Sequence, residues 1–144
     1  MLVSSAQNFE TSRARGFDLA GMKSRHKKKA ERVVAGDRVL FYLVGVQAFA
    51  GTATATGTYF ESAEPIWTSK KEGEDYPYRF PIEPNVILPS SEFVKAFDLL
   101  PALEWVKKWP IANWQLAFQG NVHMLSDQDF GTIEQTLKGV AVPA

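Results

Sequence analysis

An alternating stretch near the middle of the chain constrains the fold more than any other feature. In residues 47–60 threonines alternate with small or aromatic residues, in the order Thr52, Ala53, Thr54, Ala55, Thr56, Gly57, Thr58 and Tyr59. Successive side chains of a strand point to opposite faces, and β-branched residues favour strands. The pattern therefore predicts a long strand whose small-residue face packs closely against a helix or a ligand.

A second strand is predicted just before it. Residues 39–44 are apolar on both alternating faces and follow a turn signal, Gly36-Asp37, which is typical of a central strand in a small barrel. Residues 1–5 and 122–125 predict short strands. Four prolines interrupt residues 76–89, so we expect an edge strand or a bulged strand there.

Helices are predicted between these strands. We expect Asn8 to cap a helix over residues 8–15, Ser24 to cap another over residues 25–34, and Ser126 to open a C-terminal helix. Two shorter helices are expected over residues 90–97 and 102–108. The chain has 144 residues and no stretch that resembles a linker. The predicted fold class is α+β, a small bent sheet or barrel with helices at its sides, in one domain spanning residues 1–144.

Positive charge is concentrated in one segment. The chain carries 16 basic and 16 acidic residues, and this net charge of zero argues against a bulk polyanion binder. Residues 13–32, however, hold eight basic residues against two acidic ones. Such asymmetry indicates a surface that contacts phosphates, and a solvated helix face is the alternative interpretation. The predicted phosphate contacts in this segment are Arg13, Arg25, His26, Lys27, Lys28 and Lys29.

The sequence disfavours several functional classes. It contains no cysteine, which excludes disulfides, thiolate zinc sites and cysteine nucleophiles. No apolar run is long enough for a membrane helix and no secretory signal is evident, so a cytoplasmic protein without a membrane partner is expected. Common hydrolase, metalloprotease and phosphate-loop motifs are missing, and we expect neither enzymatic activity nor a cofactor or metal. A hydrolase using Glu72, Asp75 or His123 is the catalytic alternative, although His123 suits a hydrogen-bonded structural role better.

Trp67 is the aromatic residue that most suggests a binding site. It lies in the segment "EPIW" within an otherwise polar loop, residues 61–75, and must either fold back onto the core or line a site. A base stacked on an aromatic ring gains about 1–3 kcal/mol. Phosphate contacts from the basic segment would add affinity that does not depend on sequence.

Several segments together resemble an EVE domain. They are "NFETSRARGF", "SRHKKKAERVVAGDRVLFYLVGVQAFAGT", "EPIW" followed by "YPYRFPIEP", and the closing "NVHMLSDQDFGTIEQTL". The resemblance is collinear and covers nearly the whole chain. It implies a PUA-like bent β-barrel flanked by helices, similar to YTH and ASCH domains.

The resemblance also implies a function and a site. EVE domains are thought to recognise modified bases in DNA or RNA, and some occur beside nucleases in defence systems, so a nuclease or restriction-type partner is expected. The implied base pocket comprises Ser4, Ser5, Asn8, Trp67 and Tyr78, with Arg13 beside it. The alternative function is a small-molecule or protein-binding domain on the same fold, whose basic helix is merely solvated.

Overall fold

Seven strands in the described part of the chain form one curled sheet. The structure is a computed structural model and describes residues 1–69, 74–119 and 122–141. The strands are β1 (Leu2–Ser4), β2 (Leu19–Met22), β3 (Arg38–Leu43), β4 (Ala48–Ala55), β5 (Phe60–Glu61), β6 (Tyr78–Ile87) and β7 (Val94–Lys95). The main order is β1-β3-β4-β6-β2, with β5 paired to β6 and β7 paired to β4. Only the pairing of β1 with β3 is parallel among the named strand pairs of these residues.

Helical segments flank this sheet. The α-helices are α1 (Ala6–Ala14), α2 (Lys27–Glu31), α3 (Ala96–Leu99) and α4 (Asp127–Ala141). Shorter 3-10 helices occupy Ser24–His26, Ser90–Glu92, Leu100–Ala102, Trp105–Lys108 and Ile111–Phe118. The α+β class with a bent barrel and flanking helices is therefore confirmed. No helix within the described ranges is long and apolar enough to span a membrane.

Strand β3 is buried on both faces, as predicted. Leu40 and Tyr42 belong to one apolar cluster, to which α4 contributes Ile133 and Leu137. Val39, Phe41 and Leu43 belong to a second cluster on the other face of the sheet. The small-residue face of β4 enters this second cluster, where α2 supplies a buried alanine. Helix α2 thus belongs to the same cluster as the small-residue face of β4.

Two helix starts differ from the prediction. The first helix begins at Ala6, because the extended backbone of Ser5 lets its Oγ accept a hydrogen bond from the Asn8 N–H at 3.1 Å. Asn8 is therefore not a cap. The helix predicted from Ser24 starts as a 3-10 turn and ends at Glu31. The cap at Ser126 is confirmed, since its Oγ accepts from the backbone N–H of Asp129 at 3.1 Å.

Three strand predictions need correction. The single strand predicted over residues 47–60 is divided in two, because β4 ends at Ala55 and the short strand β5 begins only at Phe60. Strand β6 lies between β4 and β2 rather than at an edge; its predicted bulge is confirmed by a register shift that leaves Asn85 unpaired opposite β4. Of residues 122–125, only Val122 forms a bridge, to Leu2. Pro84 lies next to this bulge, a position at which a sheet tolerates proline.

Candidate nucleic-acid interface

A small pocket lies where the two ends of the curled sheet approach each other. Strand β1, at one end of the strand order, and strand β2, at the other, both contribute to its wall. We call this cavity the inner pocket, and its volume is about 30 Å³. Its lining residues are Leu2, Val3, Ser4, Asn8, Phe9, Ser12, Ala20, Gly21, Phe41, Trp67 and Tyr76. A cavity of this size holds about one or two water molecules and is too small for a nucleobase.

Trp67 folds back to become one wall of the inner pocket. Its indole packs directly on Gly21, where an added Cβ would lie 2.4 Å from the Trp67 Cζ3 atom. The Trp67 Nε1 donates a hydrogen bond to the Ser12 Oγ at 2.9 Å. The Trp67 and Tyr76 rings meet edge to face, with centroids 6.0 Å apart. Both alternatives raised by the sequence therefore apply, because Trp67 packs on the barrel and lines a cavity.

Asn8 fastens the loop that carries Trp67. The Asn8 Nδ2 donates to the Thr68 carbonyl at 2.7 Å, and its Oδ1 accepts from the Thr68 N–H at 2.9 Å. A longer contact of 3.4 Å joins the Asn8 Nδ2 to the Tyr76 hydroxyl. Asn8 is 4% exposed. Its amide is thus occupied in holding the loop, and its predicted role of reading a base would require these bonds to open.

Arg79 holds the same loop from the sheet side, and sequence reasoning missed it. Its side chain is 3% exposed and donates to the carbonyls of Tyr76 and Glu64 and to the Ser62 hydroxyl. The guanidinium also lies 5.4 Å from the centroid of the Trp67 ring. Burial lowers the pKa of Arg79. A charged residue between apolar neighbours in a predicted strand, "YRF", was the signal that could have found it.

A larger groove adjoins the inner pocket on its outer side. We call it the outer groove; its volume is about 710 Å³, and Val3, Ser4, Asn8 and Tyr76 line both cavities. Its other polar lining residues are Ser5, Gln7, Lys23, Arg25, Gln47, Thr68, Ser69, Gln115 and Gln119. Glutamine amides carry donors and an acceptor, which suits the edge of a base. Cavities of this volume bind ligands of nucleotide size.

One carboxylate balances the two cations at the outer groove. The Glu74 Oε1 lies 2.8 Å from the Lys23 Nζ, and its Oε2 lies 3.8 Å from the Arg25 Nη1. The Ser69 hydroxyl donates to the Glu74 carboxylate at 2.8 Å. Hydrogen bonds from Lys23 and Ser69 lower the pKa of Glu74 to about 2. Glu74 is therefore ionised at neutral pH and pairs with both cations.

The predicted base pocket is partly assembled. Ser4, Asn8 and Trp67 line the inner pocket, and Ser5 lines the outer groove while it caps α1. Tyr78 lines neither cavity, and its ring centroid lies 6.1 Å from that of Tyr59. Tyr76, two positions earlier and outside β6, lies at the site instead.

The predicted phosphate contacts separate into distinct locations. Arg13 is used within the fold: its Nε bonds Glu10 at 2.8 Å and its Nη2 donates to the Leu88 carbonyl at 2.7 Å. This environment does not support a phosphate contact. Arg25 lines the outer groove and donates to the His26 Nε2 at 3.2 Å. Lys27 and Lys28 are exposed on α2, whereas Lys29 donates to the Val122 carbonyl at 3.0 Å.

Of the three residues of the hydrolase alternative, the two that the structure describes, Asp75 and His123, line no common cavity. Glu72 lies outside the described residues. Asp75 is exposed and lines neither the inner pocket nor the outer groove, whereas His123 lines a separate groove. Within residues 1–69, 74–119 and 122–141, no group of three or more acidic or histidine side chains is arranged to hold a metal.

Comparisons with known proteins bear on the fold. No protein-family profile matches the sequence, and no curated protein sequence is significantly similar to it. The chain is similar in structure to Rpa0253 from Rhodopseudomonas palustris, a structural genomics target solved by NMR, with a TM-score of 0.57 and 17% sequence identity. The match covers 96% of this chain and 91% of that one. At this identity the likeness shows a shared fold over nearly the whole chain.

Proposed function

We propose that this chain is an EVE-like reader module of the PUA-like type, which binds a nucleotide of DNA or RNA that carries a modified base. The observation that carries the proposal is the placement of the inner pocket beside the outer groove. Ser4, Asn8 and Trp67, which were nominated from sequence, come together there from distant parts of the chain. Two cations, Lys23 and Arg25, lie at the edge of the groove.

The two cavities suggest a division of roles. The outer groove has room for a base and its sugar, and Tyr76 and the glutamine amides line it. The inner pocket, at about 30 Å³, suits a methyl or hydroxymethyl substituent and is walled by aromatic and aliphatic side chains. One added carbon in such a pocket contributes about 1–3 kcal/mol, or roughly 10–200-fold in affinity. The inner pocket would therefore distinguish a modified base from its parent.

The basic segment would bind the backbone. Lys23 and Arg25 lie at the groove, and the exposed Lys27 and Lys28 continue the positive surface along α2. If about four phosphates of a single strand are contacted, the logarithm of the binding constant falls with the logarithm of salt concentration at a slope of about −3.

The first experiment is a binding panel at two salt concentrations. It uses short single-stranded DNA and RNA oligonucleotides, with and without methylated cytosine, hydroxymethylated cytosine or methylated adenine. The proposal predicts that one modified base binds at least about tenfold better than its parent, because the inner pocket is filled. Binding that salt does not weaken, or no binding to any oligonucleotide, would refute it and favour the small-molecule or protein-binding alternative.

A matched pair of aromatic variants tests the base site. Trp67→Ala should reduce nucleotide binding, whereas Phe97→Ala should not, since Phe97 is 56% exposed and lines neither cavity. Trp67 lines the inner pocket and not the outer groove, so its removal should cost the contribution of the added carbon, about 1–3 kcal/mol. Circular dichroism and thermal unfolding check that both variants stay folded. Unchanged binding by folded Trp67→Ala would remove Trp67 from the site.

A matched pair of lysine variants tests the phosphate contacts. The double variant Lys27→Gln and Lys28→Gln should make the salt slope shallower by about 1.4 for a single strand, if each lysine contacts one phosphate. The control carries Lys107→Gln and Lys108→Gln, two adjacent lysines in a 3-10 helix that lines neither cavity. Equal slopes in the two double variants would show that the α2 lysines are merely solvated.

A further inference from the structure

Two cations, Lys23 and Arg25, are the only charged side chains that line the outer groove within the described ranges. The Lys23 ammonium lies 5.6 Å from the centroid of the Tyr76 ring, and Tyr76 lines both the groove and the inner pocket. A phosphate that binds these cations would therefore belong to a nucleotide whose base lies beside Tyr76.

A carboxylate of the chain itself already binds both cations. The Glu74 Oε1 accepts from the Ser69 hydroxyl and lies 2.8 Å from the Lys23 Nζ, while its Oε2 lies 3.8 Å from the Arg25 Nη1. Carboxylates and phosphates are both oxyanions, and ammonium, guanidinium and hydroxyl groups donate to either. Lys23, Arg25 and Ser69 thus surround one oxyanion, which in this structure is the side chain of Glu74.

The neighbouring groups keep Glu74 charged but do not bury it. Hydrogen bonds from Lys23 and Ser69 lower its pKa to about 2, so it is an anion throughout the neutral range. Its side chain is 19% exposed, and that of Arg25 is 47% exposed. Ion pairs that water reaches contribute little to stability, so an external oxyanion can replace this carboxylate at small cost to the fold.

His26 is the other titratable group in contact with this cluster. Its Nε2 accepts a hydrogen bond from the Arg25 Nε at 3.2 Å, which leaves the outer nitrogens of that guanidinium to face Glu74. Burial, followed by the nearby cations, lowers the pKa of His26. The imidazole is therefore mainly uncharged at neutral pH, and the exchange of anions concerns the two cations and Glu74.

The exchange has a consequence for binding that does not depend on the base. Glu74 and a phosphodiester each carry one negative charge, so replacing the first with the second leaves the charge at the site unchanged. The release of counterions by neutralised phosphates supplies essentially all of nonspecific affinity. A phosphate that merely replaces Glu74 adds little of this affinity.

We propose that Lys23, Arg25 and Ser69 form an oxyanion site for one backbone phosphate, and that Glu74 is an internal competitor which a phosphate must displace. The inference rests on the proposed function, because it names the groups that receive the phosphate beside the modified base. Glu74 suppresses the binding of strands whose bases do not fit the inner pocket, since such strands offer only their backbone.

A charge-neutral variant of the same shape separates competition from a structural role. Glu74→Gln removes the negative charge and keeps an amide oxygen that can accept from Ser69. Glu83→Gln is the matched control, because Glu83 is exposed, lines neither cavity and forms no ion pair within the described ranges. The two variants change the net charge equally, and thermal unfolding checks that both stay folded.

The first assay titrates inorganic phosphate and follows the amide resonances of Lys23, Arg25 and Ser69. Glu74→Gln should bind phosphate at least about threefold more tightly than the wild type, because one negative charge about 5 Å away no longer opposes it. Glu83→Gln should bind phosphate like the wild type. An equal gain in both variants would show an effect of net charge alone and overturn the proposal.

The second assay uses a hexanucleotide of deoxythymidine, which carries no modified base, at several salt concentrations. Glu74→Gln should bind it at least about threefold more tightly at low salt. The salt slope should become steeper by about 0.7, since one more phosphate of a single strand is neutralised without displacing a carboxylate. Glu83→Gln should change neither quantity.

The remaining outcomes separate this proposal from the proposed function. If folded Glu74→Gln binds phosphate or the hexanucleotide no better than the wild type, Glu74 only holds its loop, and the competitor is refuted while the proposed function stands. If Glu74→Gln gains affinity for both but no modified base is preferred in the oligonucleotide panel, the proposed function fails and the oxyanion site with its competitor remains.

Discussion

Gly21→Ala is the sharpest test of how the inner pocket is built. The added Cβ would lie 2.4 Å from the Cζ3 and 2.9 Å from the Cε3 of Trp67. Carbon atoms in contact normally lie about 3.5–4.0 Å apart. The indole would therefore have to move by roughly 1 Å or more. The same movement displaces the Trp67 Nε1 from the Ser12 Oγ and weakens the hydrogen bond between them.

The expected cost follows from these two effects. Overpacking a core costs about 1–3 kcal/mol, and a typical hydrogen bond contributes about 0.5–1.5 kcal/mol. We expect Gly21→Ala to reduce the free energy of unfolding by about 2–4 kcal/mol. Each kcal/mol corresponds to about 2–4 °C in Tm for a domain of this size. Displacing Trp67 also deforms the inner pocket, so the affinity for the modified base should fall toward the affinity for its unmodified parent.

The assay combines urea unfolding with the oligonucleotide panel. Gly45→Ala is the matched control, because a Cβ at Gly45 would meet no atom within 4 Å and its φ is not positive. That variant should be within about 0.5 kcal/mol of the wild type. If Gly21→Ala is equally stable and keeps the full preference for the modified base, the packing of Trp67 on Gly21 does not shape the site.

Two further predictions concern stability. Ser12→Ala should reduce the free energy of unfolding by about 1–3 kcal/mol in urea, because it leaves the Trp67 Nε1 without its acceptor. Ser24→Ala, at an exposed position in the 3-10 helix Ser24–His26, should have little effect. Burial and nearby cations lower the pKa of both His26 and His123 in the folded chain, so the unfolded chain binds more protons as the pH falls below about 6.5. The free energy of unfolding should therefore decrease on acidification through that range, and replacing both histidines with glutamine should flatten this dependence in urea titrations at several pH values.

The sequence predicted the sheet better than the site. A continuous apolar run identified β3, which is buried on both faces, and period-two patterning of threonines with small residues identified β4. For β6 the prolines predicted an edge strand or a bulged strand, and only the bulge is confirmed. Local propensity does not show that a bulge at Asn85 lets Pro84 sit inside a sheet, since that depends on the register with β4.

For a similar reason, the sequence predicted some residues of the candidate site and missed others. Trp67 stood out because it was apolar within a polar loop, and Ser4 and Asn8 followed from the resemblance. Tyr76 and Arg79 were missed, because their roles depend on contacts with a loop far away in the sequence. Arg79 bonds carbonyl groups of that loop, and no spacing rule indicates such a partnership.

The loop that carries Trp67 connects stability to the proposed recognition. Asn8 holds it from α1 and Arg79 holds it from β6, so the wall of the inner pocket is fixed before any ligand arrives. A pocket wall fixed in advance loses little conformational entropy on binding, which favours affinity for a ligand of the right shape. It also resists expansion, so a bulkier substituent would have to break several hydrogen bonds to enter. Selectivity for one modification would then come from the rigidity of this loop as much as from the contacts that the pocket makes.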